Sequence, residues 1–132
     1  MSVTVGPTQL PLKAAADIAV ARVITITAAN TGNVATVATV EPIGIASAAS
    51  FLPPQSGVTN NAALSGYGIP YWSRGMVAKA LVQTAVTGGT RVMAGATGII
   101  PHTTPGTNWS VGIAQDDCPA GGLVNVWIDP LL

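Results

Sequence analysis

Between Gly75 and Leu132 the chain never runs far without a turn signal. Gly88-Gly89, Gly95 to Gly98, Pro105-Gly106 and Pro119 to Gly122 cut it into short apolar runs. Glycine supplies the positive φ that tight turns use, and proline removes a backbone donor. The runs, near Met76–Val82, Thr90–Met93, Gly98–His102, Trp109–Ala114 and Leu123–Ile128, are predicted strands. Strands this short, spaced by such turns, belong to a small β-barrel or β-sandwich. The expected class is therefore all-β.

The earlier part reads less regularly. Lys13-Ala14-Ala15-Ala16-Asp17 is alanine-rich and is expected to open a short helix. Ile18, Val20, Ile24 and Ile26 share one face of a period-two pattern, with Val23, Thr25 and Thr27 on the other, so Ala19 to Thr27 is a predicted strand. Ala28 to Asn33 is a turn. Val34 to Val40 is a second predicted strand on its Val and Thr content, although its valines sit three apart. Pro42 then leads into a short buried strand, Ile43 to Ala46.

Two segments fall outside this strand pattern. Residues 1–12 hold Ser2-Val3-Thr4-Val5, then Gly6-Pro7 and Pro11, and read as an extended N-terminal arm, either a disordered tail or an arm that docks on a partner. Residues 13–132 form one β domain. Within it, residues 47–74 make a long irregular loop that carries Phe51, Tyr67, Tyr71 and Trp72. Long loops that keep aromatics are usually ordered and packed on something. The loop packs either on its own domain or on a partner.

The two halves share an order of signals. Arg22-Val23 precedes Gly44-Ile45-Ala46, and Arg91-Val92 precedes Gly112-Ile113-Ala114 at nearly the same separation. Gly75-Met76-Val77 and Gly122-Leu123-Val124 follow. This order suggests an internal repeat over residues 22–82 and 91–129.

Charge narrows the function. Only 8% of the 132 residues are charged, with five basic and five acidic side chains and no net charge. An average soluble domain has about 25%. A surface so poor in charge favours association, so a homo-oligomer is expected. Lys13, Arg22, Arg74, Lys79 and Arg91 stand singly, which argues against nucleic acid. No basic amphipathic stretch suits a membrane surface, and the uncharged stretch Pro42 to Ser73 is too broken by proline, asparagine and glycine to span one. The start MSVTVGPTQLPLK lacks the pattern of a secretory signal. Cys118 is the single cysteine, so no intrachain disulfide forms, as suits a reducing cytoplasm. Asn108-Trp109-Ser110 is then a chance match to the glycosylation pattern.

No constellation for catalysis stands out. His102 reads as a loop residue without a partner, and no Gly-x-Ser-x-Gly elbow occurs. Asp116-Asp117, with Asp129 one strand away, offers at most a weak cation site and reads better as turn chemistry. Cys118 has no neighbouring base to activate it. No catalytic residue, metal or cofactor is expected. Trp109 and Trp127 lie within strands and are predicted core. Trp72 is the better interface residue, with Tyr71 and Arg74 beside it, since Trp, Tyr and Arg dominate interface energetics. In the arm, Val3, Val5, Leu10 and Leu12 are expected to dock on a neighbour's sheet edge.

The run Ser110-Val111-Gly112-Ile113-Ala114-Gln115-Asp116-Asp117, followed by Ala120-Gly121-Gly122-Leu123-Val124-Asn125-Val126-Trp127-Ile128, resembles small capsid cement (decoration) proteins of tailed bacteriophages. So do Arg22-Val23-Ile24-Thr25-Ile26-Thr27 and Pro42-Ile43-Gly44-Ile45-Ala46. The likeness covers most of residues 18–50 and 75–129, and the loop 47–74 departs from it. The resemblance implies a non-enzymatic protein on the capsid surface of the virion, made in the host cytoplasm. It would bind the major capsid protein at joints between capsomers, brace the shell against packaged DNA, and associate with itself, most simply as a trimer. Two other readings stay open. A receptor-binding or tail-fibre module would need an exposed groove for host glycans. A small β-barrel hydrolase would need His102 beside an acid in a pocket.

Overall fold

The structure is a computed structural model and describes residues 11–47 and 61–132. The chain is all-β, and no helix occurs among the described residues. In chain order the strands are β1 (Lys13–Ala14), β2 (Ile18–Ala19), β3 (Val23–Ala28), β4 (Thr31–Val34), β5 (Pro42–Ala46), β6 (Asn61–Ala63), β7 (Tyr71–Ser73), β8 (Val77–Leu81), β9 (Arg91–Ala94), β10 (Ile99–Pro101), β11 (Ser110–Ala114) and β12 (Leu123–Leu131). They build two five-stranded sheets, ordered β1-β4-β3-β5-β7 and β10-β9-β11-β12-β8, and a two-stranded piece, β2-β6.

Each large sheet curls until its ends meet. In the first, Lys13 pairs parallel with Thr31 of β4 and also bridges Gly68, just before β7. In the second, Val82, just after β8, bridges Ile99 of β10 in parallel. This closure leaves few open edges, the standing hazard of small β proteins.

The pairing pattern occurs twice. Gly44 lies between Ile24 and Ser73, as Gly112 lies between Val92 and Ile128. The Ala21 and Arg22 groups that bond Ala46 correspond to the Gly89 and Thr90 groups that bond Ala114. Ala21 and Gly89 both have positive φ, 63° and 82°. The Ile18–Ala63 pair corresponds to the Val86–Cys118 bridge. Up to Ala46 the offset between copies is 68 residues; from Ala63 on it is 55, so the first copy holds thirteen more residues between those points. The register corrects the sequence alignment by one residue, because Val23, not Arg22, occupies the place of Arg91. The repeated pairings begin at Leu12 and Ala80, before the expected bounds, since Ile69 bonds Leu12 as Val124 pairs with Ala80.

Several expectations are overturned. Lys13–Asp17 does not open a helix: five residues cannot offset helix nucleation, and Ala14 is buried as part of β1. The strand Ala19–Thr27 is broken at Val20-Ala21, where the chain passes from β2 to β3. Val23 and Ile24 are both buried because β3 is covered on both sides, and Ile26 is exposed. The second strand is Thr31–Val34, and residues 35–41 are irregular, with Val37 and Val40 exposed. Valines three apart cannot keep to one side of a period-two strand. Loop 47–74 contains two strands, β6 and β7.

The described residues form two cores. One, inside the first sheet, joins Leu12, Ala14, Ile18, Ile24, Ala46, Ile69 and Tyr71, among others. The other fills the second sheet with Val82, Val92, Ile99, Val111, Val126 and Ile128, and takes in Val23, Ala35 and Ile45 from the opposite side of the first sheet. The first sheet thus stacks its outer side on the core of the second.

Gly44 and Gly112 sit at the tightest points. A Cβ at Gly44 would fall on the carbonyl oxygen of Trp72, and one at Gly112 on that of Trp127. Backbone cannot swing aside as a side chain can. Gly112→Ala is therefore expected to lower stability by about 1–3 kcal/mol, the range of overpacked cores, in urea melts of the purified chain.

Candidate docking surface

Tyr71 and Trp72 are adjacent on β7, so they face opposite ways. Tyr71 points inward and is 6% exposed, whereas Trp72 is 45% exposed. The sequence reading that placed both at an interface is thus corrected for Tyr71, which is core. Leu12 is likewise core, and its carbonyl accepts a hydrogen bond from Ile69 N–H at 2.9 Å. The other arm residues named for docking, Val3, Val5 and Leu10, lie outside the described residues.

Arg74 is exposed, and its guanidinium is held by two acceptors: Asp129 Oδ1 at 3.1 Å and the Pro130 carbonyl at 3.0 Å. Arg91 approaches Asp129 from the other side, donating to Oδ2 and to the Asp129 carbonyl, each at 3.0 Å. One carboxylate therefore bridges two arginines and ties the β7–β8 turn to β9 and β12. Part-exposed pairs of this kind typically contribute no more than about 1 kcal/mol each. Their larger effect here is to use up three of the chain's ten charges.

Trp127 was expected in the core and is instead 39% exposed. Along β12 the inward set is Val124, Val126 and Ile128, which leaves Leu123, Asn125 and Trp127 facing out. Val77 of β8 pairs with Trp127, and Leu81 with Leu123. Val77 and Leu123 are 52% and 55% exposed, so the β8–β12 ribbon presents an apolar outer face. Sequence reasoning missed this face. The alternation of β-branched residues at 124, 126 and 128 was the signal for it.

A groove of about 410 Å³ opens beside this face, between Trp72, Val20, Ala21, Ala46 and Ser47 on one wall and Val77, Ala78, Lys79, Leu123 and Asn125 on the other. Its walls come from both sheets. Among the described residues, Lys79 is its one charged side chain.

The candidates for chemistry are dispersed. The His102 ring donates from Nε2 to the Asn108 carbonyl at 2.9 Å, since a carbonyl can only accept. Asp117 accepts from Gly88 N–H at 2.8 Å, as a turn residue does, and Asp129 is occupied by the arginines rather than joined to Asp116-Asp117. Cys118 is buried, with its thiol 3.4 Å from the Pro119 carbonyl. Among the described residues no group of three or more His, Cys, Asp or Glu side chains is placed to hold a metal ion.

The two tryptophan-side residues separate in a stability test. Tyr71→Ala is expected to cost about 3–5 kcal/mol, the usual penalty for emptying a buried aromatic site. Trp72→Ala should cost about 1 kcal/mol, near the range of surface substitutions. Thermal melts of the two variants check this.

No known family and no curated protein matches the sequence. Among solved structures, the chain is similar to the N base of head fiber gp8.5 of bacteriophage phi29, with a TM-score of 0.59 at 13% identity. The match covers 90% of this chain and 91% of that one, so the shared fold includes both sheets rather than one repeat.

Proposed function

We propose that this chain is a structural protein of a phage virion that binds the outside of the capsid shell and stabilises it. The observation that carries the reading is the fold it shares, over 90% of its length, with the N base of a phage head fiber. Its own physical chemistry supports the same role. The chain is nearly charge-free and folds into short strands. It exposes Trp72, Val77, Leu123 and Trp127 on neighbouring elements. Such a surface suits permanent burial against partners. The proposed partners are the major capsid protein and further copies of this chain, with a trimer favoured. Neither nucleic acid nor a membrane is a partner, and the role is not enzymatic. Many copies on one symmetric lattice gain strength by multivalency even where each contact is weak.

The head-fiber neighbour also favours a second reading, in which the chain is the seat of a projecting fibre rather than a flat clamp. Electron microscopy of particles from the phage that carries the chain separates the two. Density lying flush across capsomer joints supports the clamp, and a projecting stalk supports the fibre seat. Absence of the chain from particles would remove both.

Binding to purified capsid shells gives a quantitative check. Trp72→Ala is expected to weaken shell binding by about 2 kcal/mol or more if Trp72 is a hot spot. Deletion of Met1–Leu10 should leave shell binding reduced as well, and His102→Ala should leave it unchanged. Loss of shell binding in a folded His102→Ala protein would count against a purely structural role.

A further inference from the structure

We propose that the groove beside β8 receives the Ser2-Val3-Thr4-Val5 segment of a second copy of this chain, added as an antiparallel strand to the edge of β8.

The edge is open at a defined place. β8 bonds to β12 through alternate residues: Val82 N–H donates to the Gly122 carbonyl and Ile128 N–H to the Met76 carbonyl, so the even-numbered residues face β12. The backbone groups of Val77, Lys79 and Leu81 therefore face the other way. Leu81 N–H is already taken by the Ala21 carbonyl, at 2.9 Å. Val77 and Lys79 have no backbone partner among the described residues, and both line the groove. Two donors and two acceptors thus face a trough whose opposite wall is Trp72, Ala21 and Ala46. An extended chain satisfies such an edge, while its alternate side chains fill the trough.

The occupant follows from the sequence outside residues 11–47 and 61–132. Residues 48–60 carry Pro53-Pro54, which lack the donors a strand needs. Residues 1–10 carry Ser2-Val3-Thr4-Val5, β-branched at three of four positions and without a charged side chain to bury beside Trp72. If Thr4 stands opposite Val77 and Ser2 opposite Lys79, Val3 falls beside Ala78, on the side of the strand where a small residue leaves room. A second copy is favoured as the donor because its body would also cover Val77, Leu123 and Trp127, which a folded-back arm would leave in water. With no net charge, nothing opposes the approach of two copies. The inference rests on the self-association part of the reading above and is independent of capsid attachment.

The test uses full-length protein without shells, in a Cys118→Ala background. Opposed residues in this register have Cα atoms about 5.5 Å apart, within disulfide reach. Thr4→Cys and Val77→Cys proteins are mixed and oxidised, and the linkage is read by peptide mass spectrometry. A bond between position 4 of one chain and position 77 of another is the expected result. In the double variant, a bond formed only within one chain would overturn the proposal in favour of a folded-back arm, and no bond in either experiment would overturn the groove. Lys79→Pro provides a second arm of the test. It removes an outward N–H that β12 does not use, and proline is tolerated on an edge strand. Association measured by sedimentation should fall at least tenfold at an unchanged melting temperature. Unchanged association would overturn the proposal.

Discussion

The fold depends on β3 and β5 being buried on both sides. Val23 and Ile45 turn one way, into the core of the second sheet, and Ile24 and Ala46 turn the other way, into the core of the first. Fully burying a Val or Ile side chain contributes about 1.5–3 kcal/mol, so these few residues fasten the two sheets with a large part of a small domain's net stability. Gly44, between them, has no side chain, and that lets β7 come close enough to close the first sheet and place Trp72 at the seam. The groove, whose walls come from the two sheets, exists only because this seam holds.

The second half of the fold was legible because its turns are chemically explicit. Gly88-Gly89, Gly95 to Gly98 and Pro119 to Gly122 bound strands that the structure places within a residue or two of expectation, apart from β12, which runs on to Leu131. The first half was harder for physical reasons. β3 is covered on both faces at its start, so burial does not alternate along it, although the period-two reading did set Val23 on the side opposite Ile18 and Ile24, as the two cores do. Ala14 looked helical because alanine suits helices, yet it is buried as part of β1, between β4 and Tyr67, to whose carbonyl its N–H donates. Local preference yielded there to packing.

The candidate surface was legible only in part. Trp72 was singled out by its residue type and its place in the loop, and the structure leaves it half-exposed. Its neighbour Tyr71 was misassigned because adjacency in a strand means opposite faces, and the strand itself was not foreseen. The groove could not have been read at all. Val20, Ala46, Trp72, Val77 and Leu123 are ordinary residues from four separate stretches of the chain, and the open donors and acceptors of Val77 and Lys79 belong to the backbone, which carries no sequence signature.

The two repeats stack by unlike faces, the outer side of the first on the core of the second, so the molecule has a direction. Arg91 marks the outer side of the second repeat. It stands where Val23 stands in the first copy, and Asp129 and Ser110 hold it in place. A valine there would offer the second repeat's outer side to a third unit as readily as the first offers its own. The buttressed arginine gives the stack a polar end cap, as terminal units do in longer repeat proteins.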